Sequence, residues 1–534
     1  MGNQQVLYLP SHRSYVDFIM MSYVFFSLDL EIPAIAAGMD FHAMIGLGEI
    51  MRKTGAFFMR RTFVGNSFYW KVFKEYMHEL MTANHTGTEF FIEGTRSRSF
   101  KALTPKTGLL SMALEPYFMG ELHDVKVVPI SVSYEKPLEE QLFVYELLGI
   151  PKPKESTIGF LKAITNLKNQ NYGKICLDFG DPMSVKEYFN GKVDRFKHSN
   201  DPVHVQHLDK DELQCINDLA NEVVRRQQDK IVIMPFNLIA LIYNELTFTN
   251  RLDEMSLRSV LDRMREARKF FEHFGAVLSM DERHEVDEIK STLGIHSNIL
   301  DDNFKLIKSN VNLQNMNASK LKGHRFCNET MNISVPVFSL QLYINPTLYW
   351  LAQPAFLVLS AMQVKRQFGS SISIEQLKVE SNFFRQIFGY EFVLYPGFTD
   401  DVSTLLYMLI IGFNKFCFFQ DFNATLTKLI NLKVFNKHSN NDLELNMQSN
   451  YINLLLSAVS PFVNCYANAG AVISRDFDGK EFSEKEVFIA VQANAEKYIL
   501  NDKPTVHPYA LSLDSINLAI LSLVNNGCLF KEKM

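Results

Sequence analysis

The first 200 residues alternate between short β-rich runs and helical patterns, and this alternation restricts the fold more than any other feature of the chain. The predicted strands are rich in β-branched or aromatic residues and are bounded by Pro, Gly or charged residues. They are Gln5–Leu9, Ala56–Met59, Glu89–Glu93, Val125–Ser133 and Lys174–Phe179, with helices at Tyr15–Phe26, Asn66–Ala83 and Leu109–Phe118. Strands separated by helices predict an α/β fold, a mixed and mostly parallel sheet flanked by helices.

Beyond a polar stretch at Lys192–Glu212 the pattern becomes mainly helical. We therefore expect two domains, residues 1–200 and a mainly helical C-terminal region of residues 201–534. The pattern predicts helices at Asp229–Leu246, Arg251–Phe274 and Asp401–Cys417, loops at Asn303–Ser319 and Asn436–Gln448, and a small sheet at Asn332–Leu342. Three prolines and several amides interrupt the charge-free run Thr330–Val364, which predicts buried helices or an interfacial segment and not a membrane-spanning helix.

Composition excludes several functional classes. With 47% hydrophobic and 21% charged residues, the chain is globular and not disordered. Its net charge of −5 argues against a nucleic-acid binder that relies on overall basicity. The six cysteines form no CxxC pair, so they indicate neither a disulfide framework nor a zinc site. The sequence also contains no GxSxG elbow and no HExxH motif, which disfavours serine and zinc hydrolases.

The segment VLYLPSHRSYVDF, residues 6–18, joins a predicted strand to a predicted helix and contains His12 and Asp17. Five helical residues turn a side chain by about 140° from its starting direction. The two side chains therefore meet only if His12 lies in the preceding turn and Asp17 in the first helical turn, with Ser14 as a suitable N-cap. Asp17 would then hold one imidazole nitrogen and leave the other as a general base. The alternative is an ordinary capping box with His12 in a surface loop.

Two further segments end predicted strands with cations. Arg60 and Arg61 follow the first, and a pair of guanidinium groups at a strand end suits a phosphate. The second segment, residues 90–108, supplies Glu93, Gly94, Thr95, Arg96, Ser97, Arg98, Lys101 and Lys106. From residue 50 to residue 108 there are ten Lys or Arg and four Glu, a local charge of +6. This surplus suits an anionic small molecule or CoA phosphates, and the alternative is a solvated basic face.

A fourth segment, VKVVPISVSYEK at residues 125–136, predicts a buried strand interrupted by Pro129. Proline inside a strand indicates an edge, a bulge or a special turn, because it cannot donate to the ladder. This segment by itself predicts sheet structure and no function.

The four segments, in this order, resemble the blocks of the glycerol-phosphate acyltransferase family. Its HxxxxD, GxxFxRR, EGxRSR and VPxS blocks are matched by His12 and Asp17, by Gly55, Phe58, Arg60 and Arg61, by Glu93, Gly94, Arg96, Ser97 and Arg98, and by Val128, Pro129 and Ser131. A further FGxP block is similar to Phe179–Pro182. Within the family, runs such as PSHRSYVDF, TGAFFMRRTF and FIEGTRSRS most resemble the members that acylate dihydroxyacetone phosphate.

The resemblance implies transfer of a long-chain acyl group from acyl-CoA to dihydroxyacetone phosphate, the first step of ether phospholipid (plasmalogen) synthesis. It implies His12 as the general base and Asp17 as its orienting carboxylate. Substrate-binding roles are implied for Arg60, Arg61, Glu93, Gly94, Thr95, Arg96, Ser97, Arg98, Lys106 and Pro129. It implies acyl-CoA as co-substrate and no metal or other cofactor. Two alternatives stay open: acylation of glycerol-3-phosphate at its 1-hydroxyl, and a lipid-binding scaffold that has lost catalysis.

The resemblance further implies a peroxisomal enzyme that binds the membrane surface peripherally and has alkyl-dihydroxyacetone-phosphate synthase as a partner. The last four residues, Lys-Glu-Lys-Met, are a poor match to a Ser-Lys-Leu import signal, because Glu532 stands where a small residue is needed. Location is therefore an expectation from the family alone.

Overall fold

The computed structural model of the chain describes residues 4–42, 46–60, 62, 65–83, 86–150, 170–202, 206–308, 321–369, 371–394, 414–438, 442–501 and 505–530. Contacts between residues divide the chain into two compact units. The first unit comprises residues 1–97, 102–134 and 154–231, and the second comprises residues 98–101, 135–153 and 232–534. The helix Lys210–Asp229 falls in the first unit. The division into functional domains at residue 200 stays a prediction.

A seven-stranded sheet forms the centre of the first unit. Its strands are β1 (Gln5–Pro10), β2 (Ala34–Gly38), β3 (Ala56–Met59), β4 (Thr88–Glu89), β5 (Val125–Tyr134), β6 (Ile175–Phe179) and β7 (Met183–Ser184). The order is β3-β2-β4-β1-β5-β6, and β7 also pairs with β5. The first five strands are parallel, whereas β6 and β7 run antiparallel to β5. The predicted mixed, mostly parallel sheet flanked by helices is confirmed.

The helices of the first unit that precede β5 connect these strands. They are α1 (Val16–Ser27), α2 (Met39–His42), α3 (Leu47–Lys53), α4 (Ser67–Thr82) and α5 (Thr107–Phe118), and the helices Val185–Tyr188 and Lys210–Asp229 follow β7. The inner face of α1 packs on the sheet through Met21 and Phe25, which join Val6, Val128 and Ile130 in one apolar cluster. Because β1 and β5 are neighbours, α1 is held directly above the centre of the sheet.

The second unit is mainly helical, as predicted. Its helices are Glu140–Leu147, Pro235–Phe248, Leu257–Phe274, Glu285–Ile295, Asn328–Ile344, Leu348–Phe368, Ile374–Phe392, Asn414–Asn431, Ile452–Asp476, Glu484–Ile499 and Leu513–Asn525. Short strands add a parallel pair, Val232–Ile233 with Val277–Leu278, and an antiparallel sheet of Ile372–Ser373, Asp442–Leu445 and Phe435–Lys437. Among the described helices none is long and apolar enough to cross a bilayer.

Several predicted elements are wrong in detail. The predicted sheet at Asn332–Leu342 is helical, because burial on nearly every side overrides the β preference of its branched residues. The predicted loop Asn436–Gln448 contains strand residues, since Leu443 and Leu445 alternate into a buried face. Strand β2 was missed because its small residues carry little β signal.

Two predicted helices of the second unit are shifted. The helix predicted from Asp229 begins only at Pro235, after a short strand. The helix predicted from Arg251 begins at Leu257. Residues 401–413 of a third predicted helix and residues 309–319 of a predicted loop lie outside the described residues. The charge-free run is confirmed as largely buried helices.

Candidate active site

The side chains of His12 and Asp17 meet at the corner between β1 and α1. The His12 Nδ1 lies 2.7 Å from Asp17 Oδ2. Since α1 begins at Val16, His12 lies in the preceding turn and Asp17 in the first helical turn. Both side chains are buried, with His12 9% exposed and Asp17 fully covered. The predicted geometry of the pair is therefore confirmed, and the surface-loop alternative for His12 is wrong.

Three further donors fix the Asp17 carboxylate. Its Oδ2 also accepts from the backbone N–H groups of Arg13, at 2.8 Å, and Ser14, at 2.9 Å. Its Oδ1 accepts from the hydroxyl of Tyr134, at 2.5 Å. A carboxylate that accepts from all of these groups suits a donor at His12 Nδ1, and that hydrogen bond leaves Nε2 as the acceptor. Sequence reasoning missed Tyr134, which ends the VPxS strand on the sheet face that α1 covers.

Ser14 has a different role from the predicted one. The N-cap residue of α1 is Tyr15, and its side chain makes no capping hydrogen bond. The Ser14 hydroxyl instead accepts from the backbone N–H of Val16, at 3.2 Å. The start of α1 is therefore capped mainly by Asp17, whose carboxylate accepts from the backbone N–H groups of Arg13 and Ser14. This position leaves the carboxylate facing His12.

Aromatic rings surround the imidazole. The Phe91 ring stacks on His12 with 3.9 Å between centroids, and the Phe18 ring meets it edge-on at 5.7 Å. Phe41 lies edge-on to Phe18 at 5.9 Å. An apolar wall of this kind limits the access of water to the imidazole and suits an acyl chain. The sequence signal is the pair Phe90–Phe91 within the predicted strand Glu89–Glu93, although the observed strand β4 ends at Glu89.

Glu93 binds the first and third sequence blocks together. Its Oε2 lies 2.6 Å from Arg13 Nη1 and accepts from the His12 backbone N–H at 3.3 Å. Its Oε1 accepts from the Leu103 N–H, also at 3.3 Å. The Ser97 N–H in turn donates to the His12 carbonyl at 3.0 Å. Glu93 thus orients an arginine, and that arginine, Arg13, is not among the predicted site residues.

Local contacts and backbone conformation explain two other residues of the third block, Arg96 and Gly94. The Arg96 Cζ lies over the Tyr15 ring, 3.4 Å from its centroid, and this contact holds the guanidinium beside the start of α1. Gly94 adopts φ +66°, and an added Cβ would come within 2.7 Å of Lys106 Cδ. Positive φ and close approach are the two conditions that favour glycine, and both are present at Gly94. Thr95 and Lys106 are exposed.

Other predicted site residues lie elsewhere. Arg60 is exposed at the end of β3, with its guanidinium 4.6 Å from the Tyr69 ring centroid. Three strand spacings separate β3 from β1, roughly 14 Å. Arg61 lies outside the described residues. Arg98 belongs to the second unit, where it forms an ion pair with Glu146.

Pro129 lies inside the sheet and not at its edge. It pairs with Leu9 of β1, while its carbonyl accepts from the Gly180 N–H at 2.9 Å. The nitrogen and the carbonyl of Pro129 face the same side of the strand. On that side β5 pairs with β7 as far as Val127 and with β6 from Ile130, so Pro129 lies in the gap between the two pairings. The missing N–H therefore leaves no ladder bond unmade.

Comparison with known proteins agrees with this geometry. A family model described as Acyltransferase matches residues 2–133, and one described as Glycerol-3-phosphate acyltransferase C-terminal region matches residues 143–532. The chain is 33% identical to the dihydroxyacetone phosphate acyltransferases of Oryctolagus cuniculus and of Homo sapiens, over 99% of this chain and 72% of each relative. A glycerol-3-phosphate acyltransferase of Pseudomonas aeruginosa (strain LESB58) is 37% identical, over 49% of this chain and 30% of the relative.

The matched regions together contain the His12–Asp17 pair, its sheet and most of the helical second unit. The chain belongs to the glycerol-phosphate acyltransferase family and is an O-acyltransferase.

Proposed function

We propose that this enzyme transfers a long-chain acyl group from acyl-CoA to the hydroxyl of dihydroxyacetone phosphate, the first step of ether phospholipid synthesis. The observation that carries the proposal is the buried His12–Asp17 contact of 2.7 Å, in which the carboxylate holds one imidazole nitrogen while the Phe91 ring stacks on the imidazole. The relatives that match nearly the whole chain are named for this acceptor.

The reaction needs one base and no enzyme nucleophile. His12 Nε2 takes the proton of the acceptor hydroxyl as its oxygen attacks the thioester carbonyl, so that a C–O bond forms. Asp17 stabilises the resulting imidazolium. The C–S bond then breaks, and the CoA thiolate receives the proton from His12. Acyl-CoA is the only co-substrate that this sequence of steps requires.

The phosphate of the acceptor would be bound by the third block. Arg96 stands beside the start of α1, held against Tyr15. The exposed Lys106 lies against Gly94, whose lack of a side chain allows the two to approach. Roles for Arg60, Arg61 and Arg98 in binding phosphate or CoA, and for Pro129 on the acyl-CoA side, rest on the family resemblance.

Two alternatives make different predictions. A glycerol-3-phosphate acyltransferase would prefer that acceptor, but the relatives named for it match only about half of this chain. A scaffold without catalysis would tolerate a disrupted pair, whereas Asp17 here retains its contacts with His12, Arg13, Ser14 and Tyr134.

The test is a product assay with labelled palmitoyl-CoA and each acceptor in turn. We expect kcat/KM for dihydroxyacetone phosphate to exceed that for glycerol-3-phosphate at least tenfold. His12→Ala should lower kcat by roughly 10²–10⁴-fold with the fold intact by circular dichroism. His78→Ala is the matched control, because His78 also contacts a carboxylate, Glu121 at 2.8 Å, but on the exposed surface.

The outcomes separate the three readings. Preference for glycerol-3-phosphate would favour the first alternative. A folded wild-type protein that acylates neither acceptor would favour the scaffold. Equal activity of His12→Ala and His78→Ala would contradict the general-base role.

The proposal includes a peripheral membrane enzyme of the peroxisome that works with alkyl-dihydroxyacetone-phosphate synthase. Support for membrane contact comes from the outer face of α1, where Ile19, Tyr23 and Phe26 are 60%, 62% and 75% exposed. These side chains repeat every three or four residues and therefore form one apolar stripe. The stripe continues past the helix end to the exposed Leu28 and Leu30. The compartment and the synthase partner rest on the family resemblance.

Vesicle flotation tests the membrane surface. Tyr23→Ser with Phe26→Ser should abolish flotation with phospholipid vesicles. Phe196→Ser, which removes a ring that is 82% exposed outside the stripe, should leave flotation unchanged. Unchanged flotation of the double variant would remove α1 as the contact. Import and pull-down experiments with the full chain would test compartment and partner separately.

A further inference from the structure

Glu89 is a second carboxyl group beneath α1. It is the last residue of β4, where it lies between Tyr8 of β1 and Ile35 of β2 in the register of the parallel sheet. Residues in register on parallel strands point to the same face. The Tyr8 ring packs edge-on against Phe25 of α1 at 4.9 Å, so Glu89 faces the layer that α1 covers.

Glu89 is buried without a hydrogen-bond partner. Its exposed fraction is 0%, and in the described part of the chain neither Oε1 nor Oε2 meets a donor. A buried polar group that stays unpaired costs stability and calls for an explanation. An alanine or a leucine would fill this position without that cost, so stability does not explain the carboxyl group.

Asp17 faces the same layer from the opposite side. It lies four residues before Met21 and eight before Phe25, on the face of α1 that packs on the sheet. Its field acts on Glu89 strongly enough to oppose ionisation there. The sheet therefore places a second carboxyl group in the buried layer that also contains the carboxylate of Asp17.

We propose that Glu89 is a positioning residue for the His12–Asp17 pair. Glu89 serves the reaction as an uncharged acid, and ionisation of Glu89 disables the pair. This inference rests on the proposed acyl transfer. Burial, with a smaller contribution from Asp17, raises the pKa of Glu89 from 4.5 to about 8. The group is thus neutral at pH 7 and becomes charged just above it.

Ionisation would place a second negative charge beside a fully buried carboxylate. Like charges in a dry site interact strongly, because little solvent screens them. The added charge would hold a proton on His12 through Asp17 and would oppose both the oxyanion of the reaction and the phosphate of the acceptor. Activity should therefore fall as pH rises through about 8.

The other titratable groups named on this face, Tyr8 and Tyr134, are phenols, which ordinarily ionise near pH 10 and not near pH 8. Tyr8 on β1 is the neighbour in register, and burial raises its pKa above 10. Tyr134 on β5 donates its hydroxyl to Asp17, whereas no donor meets either oxygen of Glu89 in the described residues. On β2 the neighbour is the apolar Ile35. Among the described charged groups, only Asp17 contributes electrostatically to the raised pKa of Glu89.

The experiment compares pH profiles of kcat and of kcat/KM for wild type, Glu89→Gln and Tyr8→Phe. Glutamine has nearly the shape of the neutral acid but cannot ionise. Wild type and Tyr8→Phe should lose about tenfold in activity between pH 7 and pH 9, as expected for one ionisation near pH 8. Glu89→Gln should lose less than twofold over the same range. An alkaline limb that persists unchanged in Glu89→Gln overturns the proposal.

Two measurements on the wild-type protein keep the inference testable if the variant does not fold. Infrared spectra should show a protonated-carboxyl band that disappears between pH 7 and pH 9. The unfolding equilibrium constant should rise up to tenfold per pH unit between about pH 5 and pH 8, because the unfolded chain releases the Glu89 proton first. Absence of both would contradict a neutral Glu89.

These results are distinguishable from a failure of the proposed function. A wild-type protein without acyl transfer would contradict that function, while the infrared and unfolding measurements still report on Glu89. An active wild type whose alkaline limb survives in Glu89→Gln would contradict the present inference alone.

Discussion

Arg13 Nη1 lies 2.6 Å from Glu93 Oε2, and both side chains are buried. The two residues come from different sequence blocks, 80 positions apart. Their contact fixes the turn that carries His12 to the turn that carries Arg96. His12, the proposed base, and Arg96, the proposed phosphate-binding residue, therefore occupy one rigid frame, which is what transfer between two bound substrates requires.

Breaking this ion pair should destabilise the protein. Glu93→Gln leaves Arg13 buried without its anion, and we expect a loss of about 3–5 kcal/mol in the free energy of unfolding, measured with urea. Glu49→Gln is the control, because the Lys53–Glu49 pair is exposed and should contribute less than about 1 kcal/mol. Equal losses in the two variants would show that the Arg13–Glu93 contact does not fix the turn.

Removing the Tyr134 hydroxyl should slow catalysis without weakening substrate binding. Tyr134→Phe takes one donor from Asp17 Oδ1, and kcat should fall about tenfold, equivalent to about 1.4 kcal/mol, with KM unchanged. Steady-state kinetics measure this. Tyr117→Phe, at another buried tyrosine, should keep wild-type kcat. A rise in KM alone would place Tyr134 in substrate binding instead.

Arg96 should matter for the phosphate substrate in particular. Arg96→Lys keeps the charge but loses the planar stack on Tyr15, so KM for dihydroxyacetone phosphate should rise about tenfold while KM for acyl-CoA stays constant. Arg195→Lys is a matched control, since Arg195 also stacks on a tyrosine, with its Cζ 4.4 Å from the Tyr117 ring centroid. If KM rises equally for both substrates, the phosphate assignment is wrong.

Acid should destabilise the first unit partly through Asp124, at the start of β5. Burial raises the pKa of this carboxyl, but hydrogen bonds from the Lys186 N–H, the Ser184 hydroxyl and Lys126 outweigh burial and hold its pKa below 3.8. A lowered pKa contributes stability above the unfolded pKa, and that stability is lost as pH falls through the folded pKa. Asp124→Asn should therefore cost about 1–3 kcal/mol at pH 7 and less near pH 2. Urea unfolding from pH 7 to pH 2 measures both values, and a cost that did not shrink in acid would exclude the carboxylate as the cause.

The sequence by itself determined the α/β architecture of the first unit. The alternation of strands and helices before residue 200 predicted the α/β sheet, and the spacing of His12 and Asp17 limited any contact between them to one geometry, with His12 in the turn before the helix. Both inferences succeed because they depend on local geometry, namely strand period, helical pitch and the position of a cap. The helical second unit was likewise predictable from its pattern.

Only the tertiary structure decided which groups from distant segments surround that pair. Tyr134, Phe91, Glu93 and Glu89 reach the neighbourhood of His12 and Asp17 because β5 and β4 lie on either side of β1. Strand order follows from how apolar faces pack together, and no local pattern specifies it. For the same reason, burial and not propensity made Asn332–Leu342 helical and left Glu89 without a donor.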